Sequence, residues 1–220
     1  MATRPTHVAA ALARQPEVMV SPVVSGQELE PLLDKPSVLI VGPGLGRSPW
    51  SEQLLQKAVA AELPMVVDAD ALNIIAEGRV VSEPNGNLWV MTPHPAEAAR
   101  LLGITVDEVQ ADRFAAVRAL QQQYGGVVLL KGVGTLVCGG DDVFVSTYGN
   151  PGMASGGMGD VLSGVLAALL AQAQMPDAEP VPTVTYKSAG RLLIVAELGR
   201  AQALADALGD GLDITLMADG

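Results

Sequence analysis

Along this chain, short and nearly all-apolar runs alternate with longer stretches in which apolar residues recur every three or four positions. The short runs are SVLIVG (37–42), PMVVDA (64–69), LWVMTP (88–93) and GVVLLKG (126–132), each bounded by Gly, Pro or Asp. Such uninterrupted runs suit strands buried on both faces. Between them SPWSEQLLQKAVAAEL (48–63), PAEAARLLG (95–103) and VDEVQADRFAAVRALQQQYG (106–125) carry helical spacing, with Ser48 or Ser51 and Asp107 as caps or first-turn acids. Strand, helix, strand in this order predicts an α/β fold with a mostly parallel sheet flanked by helices. TLVCGG and DDVFVST (135–147) break the rhythm, and their Gly-Gly-Asp-Asp junction predicts a hairpin beside the parallel strands. VLSGVLAALLAQ (161–172) is a further apolar helix. Beyond it AQMPDAEPVPT (173–183) is the one Pro-rich, linker-like stretch, and VTYKSAGRLLIVAEL (184–198) reads as a helix or a strand with a Gly break, Thr and Val favouring the strand.

Composition narrows the class. The chain has 220 residues, 49% of them apolar, enough for one sizeable core. A formal net charge of −11 repels a nucleic-acid backbone and excludes affinity through phosphate neutralisation. One cysteine, Cys138, rules out an internal disulfide and a multi-cysteine zinc site, and it reads as a small core residue in a strand. No apolar run reaches the roughly 20 residues of a membrane span. The opening MATRPTHVAAALARQPEVMV lacks the central apolar block of a secretion signal. The expectation is a cytoplasmic protein with no nucleic-acid or membrane partner.

In open α/β sheets ligands sit where strands end and helices begin, and five unusual stretches fall at such points. GPGLG (42–46), with Gly44 and Gly46, exposes backbone amides to an anion or flat ring, or is simply a tight turn. In DADALN (68–73), Asp68 and Asp70 can hold a cation or orient a ligand hydroxyl and Asn73 adds a neutral donor and acceptor; Asp70 capping the next helix is an equal reading. In TPHPAEAARLL (92–102) two prolines fix the direction of His94, while Glu97 lies in the first helical turn; hydrogen bonding to a ligand fits better than metal ligation, since no second His is near. In LLKGVGTLV (129–137) Lys131 ends an apolar strand and needs water or an anion, and Gly132 and Gly134 leave room for a ligand against the chain. Finally, the glycines of GNPGMASGGMGD (149–160) let consecutive amides converge at the entrance of the helix beginning near Met158. Asp160 in that first turn can accept a proton beside the anion hole, which combines general-base catalysis with electrostatic stabilisation of a phosphoryl group in transfer.

Taken in order, GPGLG, DADALN, TPHPAE, KGVGT and GNPGMASGGMGDVLSG resemble the ADP- or ATP-dependent NAD(P)H-hydrate dehydratases of the ribokinase-like superfamily, over roughly residues 3–172. The resemblance implies repair of hydrated NADH and NADPH, the substrate NAD(P)HX: nucleotide-driven phosphorylation of the ring hydroxyl, then loss of phosphate. It implies Asp160 as the catalytic base and Gly157, Met158 and Gly159 as the anion hole. Gly44, Gly46, His94 and Asp160 would contact the hydrated cofactor. Lys131, Gly132, Val133, Gly134, Thr135 and Gly159 would hold the adenine nucleotide, with Asp68, Asp70, Asn73 and Glu97 in support. ADP (or ATP) and Mg²⁺ are the implied cofactors, and no motif fixes the metal's ligands.

The resemblance also places a Gly-rich strand and helix, and in bifunctional members an epimerase domain, ahead of the segment with which this sequence opens. That divides the chain into a partial ribokinase-like domain, 1–175, and an atypical C-terminal segment, 176–220. Apolar surface left open at a sheet edge, at about 25 cal/mol per Å², amounts to several kcal/mol, so either the C-terminal segment covers it or subunits associate, as a homotetramer by the resemblance. A ribokinase-like kinase acting on a small hydroxyl substrate and an inactive nucleotide-binding relic are the alternatives.

Overall fold

A computed structural model of the chain describes residues 1–81, 88–173, 183–187, 192–195 and 213–217. Its centre is a six-stranded sheet in chain order: β3 (Leu39–Val41), β4 (Met65–Val67), β5 (Trp89–Met91), β6 (Val127–Leu130), β7 (Leu136–Gly139) and β8 (Asp142–Val145). β3 to β6 run parallel, in a register pairing Ile40 with Val66, Val66 with Val90 and Met91 with Val128. β7 and β8 add antiparallel at the β6 edge, joined by the two residues Gly140 and Asp141, so the hairpin stands where the turn signal put it. Two short strands, β1 (Ala2–Thr3) and β2 (Ser21–Pro22), pair in parallel on either side of α1 (Val8–Arg14). A short helix α2 (Gly26–Leu29) follows and packs Leu29 with Val23 and Leu54.

Successive strand residues point to opposite faces of the sheet. On one face Met65, Val67, Trp89, Met91, Val128, Leu130, Leu136 and Cys138 form the main core with five helices: α3 (Pro49–Ala60), α4 (Ala69–Ala76), α5 (Pro95–Leu102), α6 (Val106–Ala111) and α7 (Arg113–Tyr124). Cys138 is fully buried there, as its strand setting predicts, and burial pushes its thiol pKa up. The other face, with Val66, Leu129 and Val137, is covered among the described residues by Leu166 and Ala167 of α8 (Met158–Ala173). No helix among the described residues is long and apolar enough to cross a membrane.

One sequence reading is sharpened and another changes. Ser48 caps α3, sharing a reciprocal pair of hydrogen bonds with Ser51, so both candidate residues serve one cap. The single helix expected over 106–125 is two, α6 (Val106–Ala111) and α7, because Asp112 leaves helical geometry (φ −143°, ψ 84°) and accepts from the Ala115 amide as the cap of α7. Thr105 caps α6, and Asp107 is an acid of its first turn, the second of the two roles open to it. Near the C-terminus, β9 (Thr183–Lys187) lies between β10 (Leu192–Val195) and β11 (Asp213–Met217), both antiparallel to it. The strand reading of 184–198 therefore holds at its described positions; almost all of the linker-like stretch 173–183 lies outside the described residues.

Candidate active site

Four parallel strands end at one level, and their last residues are tied sideways. Asp68 N–H donates to Val41 O at 3.1 Å, Thr92 N–H to Val67 O at 3.1 Å, and Lys131 N–H to Pro93 O at 2.9 Å. This is where an open α/β sheet binds ligands. It brings GPGLG, DADALN, TPHPAE and KGVGT side by side. Gly42 lies directly on the end of β4: a Cβ there, at φ +127°, would stand 1.6 Å from the Asp68 carbonyl oxygen.

At the floor of this level Asp68 is 2% exposed and precedes α4, yet its side chain makes no cap bond. Its carboxylate accepts instead from Lys131 Nζ at 2.8 Å and from the buried Ser163 hydroxyl of α8 at 3.0 Å. The anion that Lys131 needs is therefore Asp68. Gly159 faces the same pair, since a Cβ there would be 3.5 Å from Asp68 Oδ2 and 3.7 Å from Lys131 Nζ. Glu97, 5% exposed, approaches Lys131 Nζ to 4.0 Å. Burial pushes its carboxyl pKa up, against the pull of the His94 amide and of Lys131. Thr92 Oγ1 is buried here with no partner among the described residues; an unmet hydroxyl costs about 1–3 kcal/mol unless something pairs with it.

His94 has a second task. It caps α5, its Nδ1 accepting from the Ala96 and Glu97 amides at 3.1 and 3.3 Å, while Glu97 Oε2 accepts from the His94 amide at 2.8 Å. That network puts the ring proton on Nε2, which faces Glu97 Oε1 at 3.3 Å. The side chain remains 47% exposed, open to a ligand at the ring's edge and face. Asp70 does not cap α4; its carboxylate accepts from the Gly46 amide at 2.8 Å and holds the GPGLG loop in place. Gly44 is open, with nothing within 4 Å of its missing side chain. Asn73 accepts from Arg100 and donates to the Ala69 carbonyl, and among the described residues it makes no hydrogen bond to Asp68, Lys131 or Ser163.

At the entrance of α8 the Val161 amide closes the first turn on Gly157 O at 3.0 Å, and the Met158 amide is taken by Ser155 O at 3.4 Å. Among the described residues the amides of Gly156, Gly157, Gly159 and Asp160 have no acceptor. Of the three expected anion-hole amides, Gly157 and Gly159 are thus free, Met158 is engaged, and Asp160 supplies another. Unpaired amides at the positive end of a sixteen-residue helix favour an anion. The Asp160 carboxylate is exposed and makes no hydrogen bond or ion pair with any described residue. Sequence reasoning missed Ser163 and Arg113. Ser163 had a signal: a hydroxyl in an apolar helix, four residues and so one turn after Gly159.

The Bifunctional NAD(P)H-hydrate repair enzyme Nnr of Coxiella burnetii is 49% identical over 173 residues, 78% of this chain and 35% of that protein. The ADP-dependent (S)-NAD(P)H-hydrate dehydratase of Neisseria meningitidis serogroup B is 43% identical over 169 residues, 74% of this chain and 55% of its own. The chain thus spans little more than a third of the first relative's length. Among solved structures, the ADP/ATP-dependent NAD(P)H-hydrate dehydratase of Bacillus subtilis, co-crystallised with ATP/Mg²⁺, superposes with a TM-score of 0.62 at 24% identity, covering 80% of this chain and 62% of that one. The fold is ribokinase-like. A family model described as NAD(P)H-hydrate dehydratase matches residues 1–211, past the limit of 172 that the motifs suggest, and the chain belongs to that family.

Proposed function

We propose that the chain carries ADP-dependent (S)-NAD(P)H-hydrate dehydratase activity. The observation that carries this reading is the unpartnered, exposed carboxylate of Asp160 beside the free amides of Gly157, Gly159 and its own backbone. Asp160 accepts the proton of the substrate's ring hydroxyl as that oxygen forms its bond to the nucleotide's terminal phosphorus. The bond from that phosphorus to the leaving nucleotide oxygen breaks, and the amides stabilise the charge spread over the phosphoryl oxygens. The phosphate then leaves carbon, the ring gives up a proton, and the double bond of NAD(P)H returns. Asp68, locked between Lys131 and Ser163, fixes α8 to the ends of β4 and β6 and so holds Asp160 in register with the strand ends.

The bare loop 131–135, the open space at Gly156 and Gly157 and the few side chains between them suit a phosphate-rich ligand such as ADP or ATP. Magnesium supplies charge neutralisation between nucleotide phosphates. No group of three His, Cys, Asp or Glu among the described residues could hold a metal ion, so the ion would be carried chiefly by those phosphates, as Mg²⁺ often is. The B. subtilis protein crystallised with ATP/Mg²⁺ and the ADP-dependent N. meningitidis relative support this choice. We also assign the protein to the cytoplasm as a homotetramer. The test is to supply hydrated NADH with ADP and Mg²⁺ and follow absorbance at 340 nm. Recovery of absorbance that requires nucleotide is expected; nucleotide consumption without recovery would mark a kinase instead.

A further inference from the structure

The loop between β6 and β7 is shaped from behind by a residue outside every motif. Because α7 restarts at Asp112, Arg113 is its first residue and its side chain reaches the end of β6. Nη2 donates to Leu130 O at 3.1 Å and Lys131 O at 3.3 Å, and Nη1 donates to Val133 O. The intervening carbonyl, Gly132 O, accepts from the Thr135 hydroxyl at 3.0 Å. Four consecutive carbonyls are therefore held by side-chain donors. In a trans peptide the N–H points opposite to the C=O of the same unit. Fixing Lys131 O and Val133 O on the guanidinium thus turns the Gly132 and Gly134 amides away from it, and neither has an acceptor among the described residues.

The position of Gly132 follows from the same contact. At φ +147°, its missing Cβ would lie 2.9 Å from Arg113 Nη2, so the guanidinium fills the place of a side chain. No carboxylate among the described residues pairs with Arg113, and its Nε is buried without a partner. Burial lowers its pKa, but a guanidinium stays charged. A cation met only by carbonyl dipoles leaves a positive field behind the loop, which favours an anionic ligand in front of it.

We propose that Arg113 is a positioning residue for nucleotide binding: it orients the Gly132 and Gly134 amides and supplies an unneutralised charge behind them. This rests on the reading of 131–135 as the nucleotide loop. The test is to titrate ADP into wild type, R113K and R113M by calorimetry, together with melting temperatures and the KM values for ADP and for hydrated NADH. R113M should bind ADP at least tenfold more weakly and raise KM for ADP alike, with KM for hydrated NADH unchanged. R113K keeps the charge but loses the fork that spans three carbonyls, and should fall between. If R113M does not fold, R113K alone decides, with a several-fold loss expected. ADP affinity equal to wild type in a folded variant, or an equal rise in both KM values, overturns the proposal and leaves the dehydratase reading standing. A wild type that binds no ADP overturns both.

Discussion

Asp160 stands in water with no partner among the described residues, so exchanging its carboxylate for an amide of the same size removes charge and basicity without opening a cavity. Asp160→Asn should melt like wild type, bind ADP as well, and turn over about 10²- to 10⁴-fold more slowly. Single-turnover recovery of absorbance at 340 nm measures that loss. Glu97 is the opposite case, a buried acid whose raised pKa makes the folded chain bind a proton more tightly than the unfolded one. The stability this contributes is present below the ordinary glutamate pKa of about 4.3 and is lost as pH rises through the folded value. Wild type should therefore lose melting temperature relative to Glu97→Gln as pH rises above the ordinary glutamate range, and a constant difference would show that Glu97 is not the source. The residues legible from sequence, Asp68, His94, Glu97, Lys131 and Asp160, were those that break an apolar or glycine pattern with a charge or a ring at a strand end or in the first turn of a helix. Their partners were less legible. On paper Asp68 could hold a cation or orient a ligand hydroxyl, and only the fold shows it buried between Lys131 and Ser163. Arg113 sits in an ordinary amphipathic helix, and nothing local says that its head crosses to another loop.

At the level of elements, the site depends on strand ends meeting closely. Gly42 and Asp68 touch backbone to backbone, so Gly42→Ala must push β3 and β4 apart as well as adopt a positive φ. Overpacking of this kind costs about 1–3 kcal/mol and left-handed geometry about 1–2 more. At about 2–4 °C per kcal/mol for a chain of this size, the melting temperature should drop clearly in calorimetry, with turnover falling too as Asp68 shifts. A melting temperature unchanged from wild type would mean that the two strand ends are not packed this way. The parallel strands and the hairpin were legible because burial on both faces and a two-residue turn each leave a local mark. The break at Asp112 was not, since the apolar spacing of α6 runs on into α7 and one aspartate within it looks like a solvent-facing residue. What ends the helix is the side chain bonding to the Ala115 amide, a competition that periodicity does not register.

Across the whole molecule, the two faces of the sheet are unequally covered. Five helices bury one face, whereas α8 covers the other among the described residues. Among the described residues β3 pairs only with β4, and Ile40 on it is 46% exposed. An apolar edge strand is a template for association unless something blocks it. The acidic surface opposes indiscriminate clustering, because a net charge of −11 repels copies that do not meet face to face. Association should therefore be closed and specific, a defined oligomer in light scattering whose size does not grow with concentration. Ile40→Lys tests the surface responsible. In an isolated subunit the substitution falls at a half-exposed site and should change stability by about 0.5 kcal/mol or less. In an assembly built on that edge it buries a charge, and the mass should fall towards one subunit. If wild type is already a monomer, or if the variant keeps the full mass, the β3 edge is not where subunits meet.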